Sequence, residues 1–254
     1  MNNTFVDINL DVPVEELSEA IIVTGFRGFG MVGYLVSKHL ALGLEARKIG
    51  YILTRPSPPF IIVEEDGVGM PFDVYYKEDP KTVIIVNRAL PEKEIADEYV
   101  EALVKFAREI NSKFMVLVGG LNKTFMYGEE EYGYRHKPNK YYQGPRLKAP
   151  EMEIGLGVMG PLALLYIYTV HYKVPSIIVL PYSTVEEIDY NAALKGVRVV
   201  AGEILNVEID TSLLEEYAEK WKVERERLME MLGPMLSGRS EEEDESDRHK
   251  GIYM

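Results

Sequence analysis

The chain contains no cysteine, which excludes disulfides, thiolate metal sites and a cysteine nucleophile. That absence fits a reducing compartment. Glutamine is nearly absent too, with Gln143 alone among many Glu, Lys and Arg, a thermophile-like usage. Basic residues are in short supply: 28 Lys and Arg stand against 41 Asp and Glu, for a net charge of −13. A nucleic-acid or anionic-membrane binder needs a basic footprint, so neither partner is expected. Long hydrophobic runs are also missing. The longest, Leu162 to Val170, is broken by Tyr and Thr and is too short to span a bilayer. Met1 to Thr4 lacks the basic region of a signal peptide, so cytoplasmic residence is expected. The four histidines, His39, His136, His171 and His249, show no metal-ligand spacing, and no metal is expected. No HExxH, Walker lysine or nucleophile-elbow pattern occurs.

What remains is an ordinary globular composition, 46% hydrophobic and 27% charged over 254 residues, enough for a sizeable core. Phe5 to Leu10 alternates as a half-buried strand. Glu19 to Thr24, Thr82 to Val86, Phe114 to Val118 and Ser176 to Leu180 are short apolar runs, the mark of strands covered on both faces, and Lys48 to Thr54 is a further strand. Between them the spacing predicts helices over Met31 to Leu42, Pro91 to Ile110 and Met159 to Tyr172, and two more over Tyr190 to Leu205 and Thr211 to Leu232. Glu65-Asp66-Gly67 carries a hairpin signal between Phe60 to Val63 and Gly69 to Tyr76. The expectation is an α/β fold. One three-layer body over residues 1–235 would hold a mixed, mostly parallel sheet flanked by helices, and an acidic disordered tail would follow over 236–254.

Gly28-Phe29-Gly30-Met31-Val32-Gly33 matches the dinucleotide-binding fingerprint, after a predicted strand and before a predicted helix. Gly28, Gly30 and Gly33 are therefore the candidate cofactor-binding residues of a nucleotide- or nucleoside-binding enzyme. Other features point to a turn that only packs helix on sheet. Gly25-Phe26-Arg27 lengthens the connection, Phe26 and Phe29 are bulky, and the next strand runs into Arg55 and not into an acid. On that reading no cofactor is expected. A second turn, Gly155-Leu156-Gly157-Val158-Met159-Gly160-Pro161, opens a later helix. The two turns either share a crevice at the sheet's carboxyl edge or are two packing devices.

Lys123 to Lys148 interleaves basic residues with Tyr127, Tyr132, Tyr134, Tyr141 and Tyr142. That is a single-stranded nucleic-acid composition, but Glu129-Glu130-Glu131 interrupts it, and Tyr and Arg are equally interface residues. A protein contact is the reading adopted. The C-terminus is unlike the rest: Gly238 to Gly251 holds no apolar residue, and then the chain finishes on Ile252-Tyr253-Met254. A hydrophobic residue, a tyrosine and a free carboxylate on a solvated tether suit a pocket on another protein, where a frayed terminus is the plainer reading.

Taken together these residues resemble the proteasome assembly chaperone family of the second-chaperone type, in its archaeal branch. The carriers are Ile21 to Gly33, the Gly157-Val158-Met159-Gly160-Pro161 turn and the strand Ser176 to Leu180 after Val174-Pro175. The resemblance implies a non-enzymatic protein that forms homo-oligomers, with a tetramer favoured. Ile252-Tyr253-Met254 is similar to the hydrophobic-tyrosine-any motif by which proteasomal activators dock between α-subunits of the core particle. The resemblance thus implies that these three are the partner-binding residues, with gate opening or assembly as the outcome. On such a tether the motif would reach on the order of 25 Å, and several copies would supply avidity.

Overall fold

The computed structural model describes residues 5–64, 67–126 and 131–223. The described residues form eleven strands: β1 Phe5–Leu10, β2 Ile21–Gly25, β3 Arg47–Arg55, β4 Ile62–Glu64, β5 Gly67–Gly69, β6 Phe72–Lys77, β7 Thr82–Asn87, β8 Met115–Val118, β9 Leu121–Asn122, β10 Tyr134–Pro138 and β11 Ser176–Ser183. The helices are α1 Val32–Gly43, α2 Ala96–Glu109, α3 Pro161–His171, α4 Tyr190–Arg198 and α5 over 212–223.

Nine strands form one mixed sheet in the order β1-β3-β6-β7-β2-β8-β11-β10, with β9 paired to the end of β11. Strands β2, β3, β7, β8, β9 and β11 run one way, and β1, β6 and β10 the other. The centre, β7-β2-β8-β11, is wholly parallel. Its strands alternate between two cores. Ile22, Val83, Ile85, Met115, Leu117, Ile178 and Leu180 meet α2 and α3 on one face. Val23, Ile84, Val86, Val116, Val118, Ile177 and Val179 meet α1 and α4 on the other. Both faces are dry, which is why these strands read as unbroken apolar runs. Helix α2 buries Tyr99, Val100, Leu103, Val104, Phe106 and Ala107, a stripe at helical spacing.

Two local differences from the sequence expectations have physical causes. The helix expected from Tyr190 to Leu205 is α-helical only to Arg198, and Val199–Leu205 widens into a π-helix. That change of pitch turns Val199, Val200, Ala201, Ile204 and Leu205 all inward. The strands flanking the Asp-Gly signal, β4 and β5, pair with each other in a separate two-stranded sheet, and only β6 enters the main sheet. The sequence limit between body and tail at residue 236 lies outside the described residues.

Candidate functional site

The parallel centre of the sheet places the ends of β2, β7, β8 and β11 along one carboxyl edge, where ligands of α/β proteins bind. The Gly28–Gly33 turn lies there. Gly28 precedes a 3-10 turn, Gly30 takes φ 59° and Met31 φ 55°, and α1 starts at Val32. Gly33, on the first turn of α1, touches its surroundings closely. A Cβ on it would stand 2.5 Å from the Val118 carbonyl oxygen and 2.6 Å from the Phe26 amide nitrogen. A Cβ on Gly30 would lie 2.0 Å from Ser183 Oγ, and the Asp189 amide donates to the Gly30 carbonyl at 3.0 Å. The Phe29 carbonyl in turn packs onto Gly120, where a Cβ would come within 2.5 Å. The space beside Gly30, Gly33 and Gly120 is thus taken by the chain itself. Around Gly28 the space is open.

The second glycine turn ends in Gly160, with φ 74°, which precedes Pro161 at the head of α3. Gly155, Gly157 and Gly160 touch nothing that a Cβ would meet, and Gly155 and Gly160, at φ 97° and 74°, serve backbone direction and not close packing. Leu162, one residue into α3, packs onto Gly119 at 2.6 Å from a would-be Cβ. Gly119 and Gly120, just after β8, are therefore covered by α3 and β11 and by the first turn respectively.

Beneath the first turn a buried polar chain ties the strand ends. Tyr99 OH donates to Asn87 Oδ1, and Asn87 Nδ2 donates to Thr24 Oγ1 and to the Gly25 carbonyl, both at 2.9 Å. Burial raises the Tyr99 hydroxyl well above the usual tyrosine range, so it stays a donor.

A second polar centre went unnoticed in the sequence. Arg88, 3% exposed, follows β7 and donates to Asp73 of β6, to Glu64 of β4, to the Tyr75 hydroxyl and to the Met70 carbonyl. Lys48 pairs with Asp73 at 2.9 Å and Lys38 of α1 with Glu64 at 2.8 Å. Although burial opposes the charge, Glu64, Tyr75 and Asp73 hold the guanidinium pKa above its ordinary value. Lys38 and Arg88 likewise draw the Glu64 carboxyl below its ordinary value against desolvation. The cluster fastens the β4–β5 hairpin to the body beside a hollow of about 480 Å³. Its sequence signal was an Asp inside the apolar strand Phe72-Asp73-Val74-Tyr75-Tyr76.

The basic and tyrosine-rich stretch forms the far edge of the sheet through β10. Some of its charges are internal. Arg135 pairs with Glu153 at 2.7 Å and lies over the Tyr182 ring, and Lys137 pairs with Glu151 at 2.6 Å. Tyr134 OH donates to Glu203 at 2.8 Å. Among the histidines, His39 and His136 are buried, and both pKa values are lowered chiefly by desolvation, His39 to about 4. Among the described residues no three His, Asp or Glu are grouped as metal ligands, and no helix is long and apolar enough to cross a membrane. His249, Tyr127, Glu129, Glu130, Ile252, Tyr253 and Met254 lie outside the described residues.

The chain is 26% identical over 213 residues to an uncharacterized protein of Methanocaldococcus jannaschii, covering 81% of each. In fold it is similar to Pyrococcus furiosus PbaA, described as an archaeal homolog of proteasome-assembly chaperone. That likeness has a TM-score of 0.71 at 20% identity and covers 97% of this chain and 99% of that one. It is also similar to Pyrococcus furiosus PbaB, described as an archaeal proteasome activator, with a TM-score of 0.69 at 20% identity over 90% and 99% of the two chains. The PAC2 family model matches residues 22–229, from the strand before the first glycine turn to beyond α5, and the chain belongs to the PAC2 family.

Proposed function

We propose that this protein is a cytoplasmic, non-enzymatic proteasome assembly chaperone homologue that acts on the core particle through its C-terminus. Membership of the PAC2 family, joined to a chain that ends Ile252-Tyr253-Met254, is the observation that carries this reading. The Met254 carboxylate pairs with a cation in a pocket between α-subunits. Tyr253 fills an apolar slot with its hydroxyl on a polar partner, and Ile252 adds buried area. The body, residues 1–235, is the scaffold, and residues 236–254 are the tether. One such peptide binds weakly, so the active form is a homo-oligomer, with four copies as the working number, that presents several tails at once. Docking then promotes gate opening. The packed Gly28–Gly33 turn agrees with a scaffold role.

The test removes Ile252 to Met254. The truncated chain keeps its fold by circular dichroism and the subunit number that light scattering gives for the full chain, whose subunit mass is 28.9 kDa. It no longer captures the core particle in a pull-down or stimulates its peptide hydrolysis. Normal capture and stimulation by the truncated chain would sink the proposal, and a monomeric full chain would remove the avidity argument.

A further inference from the structure

In a chain with a net charge of −13, cations gathered on one surface call for an explanation. Two adjoining hollows gather five of them. The first, about 610 Å³, opens at the carboxyl edge of the sheet between α4, α5 and the turn after β9, and Lys123, Lys195 and Lys222 line it. The second, about 440 Å³, is continuous with it through Lys195 and adds Arg146 and Lys148. Among the described residues none of these five has an ion-pair partner. All five are exposed. The acids beside them are already engaged in part. Asp189 caps α4, accepting from the Ala192 and Thr184 amides at 2.9 and 3.0 Å, and Glu203 accepts from Tyr134 OH and the Lys148 amide. Glu187 and Glu131 also line the walls. The rim of the first hollow is aromatic: Trp221, 38% exposed, meets the Tyr190 ring edge-on at 6.2 Å. Basic side chains beside an aromatic wall fit an anionic chain that carries some apolar or aromatic side chains.

The sequence contains such a chain, tethered to the wall of the cleft. Helix α5 supplies Ala218, Trp221 and Lys222 to the first hollow. Beyond it the sequence runs through residues 224–240 to Glu241-Glu242-Glu243-Asp244-Glu245-Ser246-Asp247, a run of acids with no base in it. Seventeen intervening residues can span up to about 60 Å, and Gly233-Pro234 among them breaks a helix, so the run can turn back to the cleft. Ile252 and Tyr253 follow five and six positions after Asp247 and supply the apolar and aromatic groups that the rim takes.

We infer that the Lys123–Lys195–Lys222 cleft is the docking site for the chain's own acidic segment, Glu241 to Asp247. The contact is held by charge, is released by salt, and keeps the terminal Ile-Tyr-Met beside the body until the core particle offers a better site. This last step rests on the tail reading above; the contact itself does not.

Carbodiimide treatment of the full chain, which joins amines directly to carboxylates, is the test. Peptide mapping is expected to find Lys123, Lys195 or Lys222 linked to acids of 241–247, with the links fading above about 0.5 M salt. Mixing with an isotopically labelled copy should give links within one copy only. Trp221 is the sole tryptophan and reports the cleft independently. In the variant E241Q/E242Q/E243Q/D244N/E245Q/D247N its quenching by acrylamide should rise by about two-fold, as it should for wild type in high salt. Links to Glu129 or Glu130 in place of the tail, links between copies, or unchanged quenching would overturn the inference. So would binding of a single-stranded oligonucleotide that Lys195→Glu abolishes. A chain lacking only Ile252 to Met254 keeps the link while losing the core particle, which separates this inference from the docking proposal.

Discussion

At the scale of single residues, the glycine turn shows how one motif serves packing in some positions and direction in others. Gly33 has backbone atoms of Val118 and Phe26 within 2.6 Å of where a Cβ would sit, and backbone cannot move aside as a side-chain tip can. Gly33→Ala is therefore expected to destabilise the protein by about 2–3 kcal/mol in urea unfolding. Gly28 has open space and a negative φ, so Gly28→Ala should cost at most about 1 kcal/mol. A dinucleotide site would make the opposite demand, sparing neither the first glycine nor its ligand. A titration in which Gly28→Ala abolishes nucleotide-dependent stabilisation would restore the enzyme reading. The fingerprint's place between strand and helix was legible in the sequence. What fills the turn was not, because Gly120, Ser183 and Asp189 arrive from distant segments.

At the scale of elements, the hairpin β4–β5 has little core of its own: Val63 and Val68 are exposed. It is held by charge, through Glu64 to Arg88 and Lys38, and through the Val68 carbonyl, which accepts from Lys48 Nζ at 2.8 Å. Removing one partner of a buried ionic cluster leaves the others uncompensated. Arg88→Met is expected to lower stability by roughly 3 kcal/mol and to open the hairpin to proteolysis at lower protease concentration. Unchanged stability and cleavage would show the hairpin to be held by other means. Sequence reading found the hairpin because the Asp-Gly signal is local. It missed the cluster, because Lys38, Lys48, Glu64, Asp73 and Arg88 are brought together by four different elements and the end of a fifth. Helix α3 was legible for the converse reason: Gly160 and Pro161 at its start and the apolar run after them are local signals. That Ile167 and Val170 face outward was not.

At the scale of the whole molecule, α5 meets α1 at His39, whose ring stands edge-on to Tyr217 at 6.2 Å. Desolvation, aided by Lys38, lowers this histidine to about 4, while an unfolded chain titrates near 6.5. The unfolded state then binds the extra proton between those values, so stability falls as pH drops from about 6.5 to 4 and is unaffected above. The loss is on the order of 2–3 kcal/mol, and His39→Gln should remove most of it when urea midpoints at pH 7 and pH 4.5 are compared. An equal acid loss in the variant would place the sensitivity elsewhere.

By itself the sequence determined the α/β class, the central strands, the presence of the helices and the family resemblance, because each depends on signals within a dozen residues. Two-sided burial writes an apolar run, and a turn writes a glycine. Only the tertiary structure decided that the first glycine turn is filled by its own chain, that five charges meet under the hairpin, and that Lys123, Lys195 and Lys222 share one cleft. Those depend on which segments the sheet order brings together. Strand order is set by packing across the whole chain, and no local pattern encodes it.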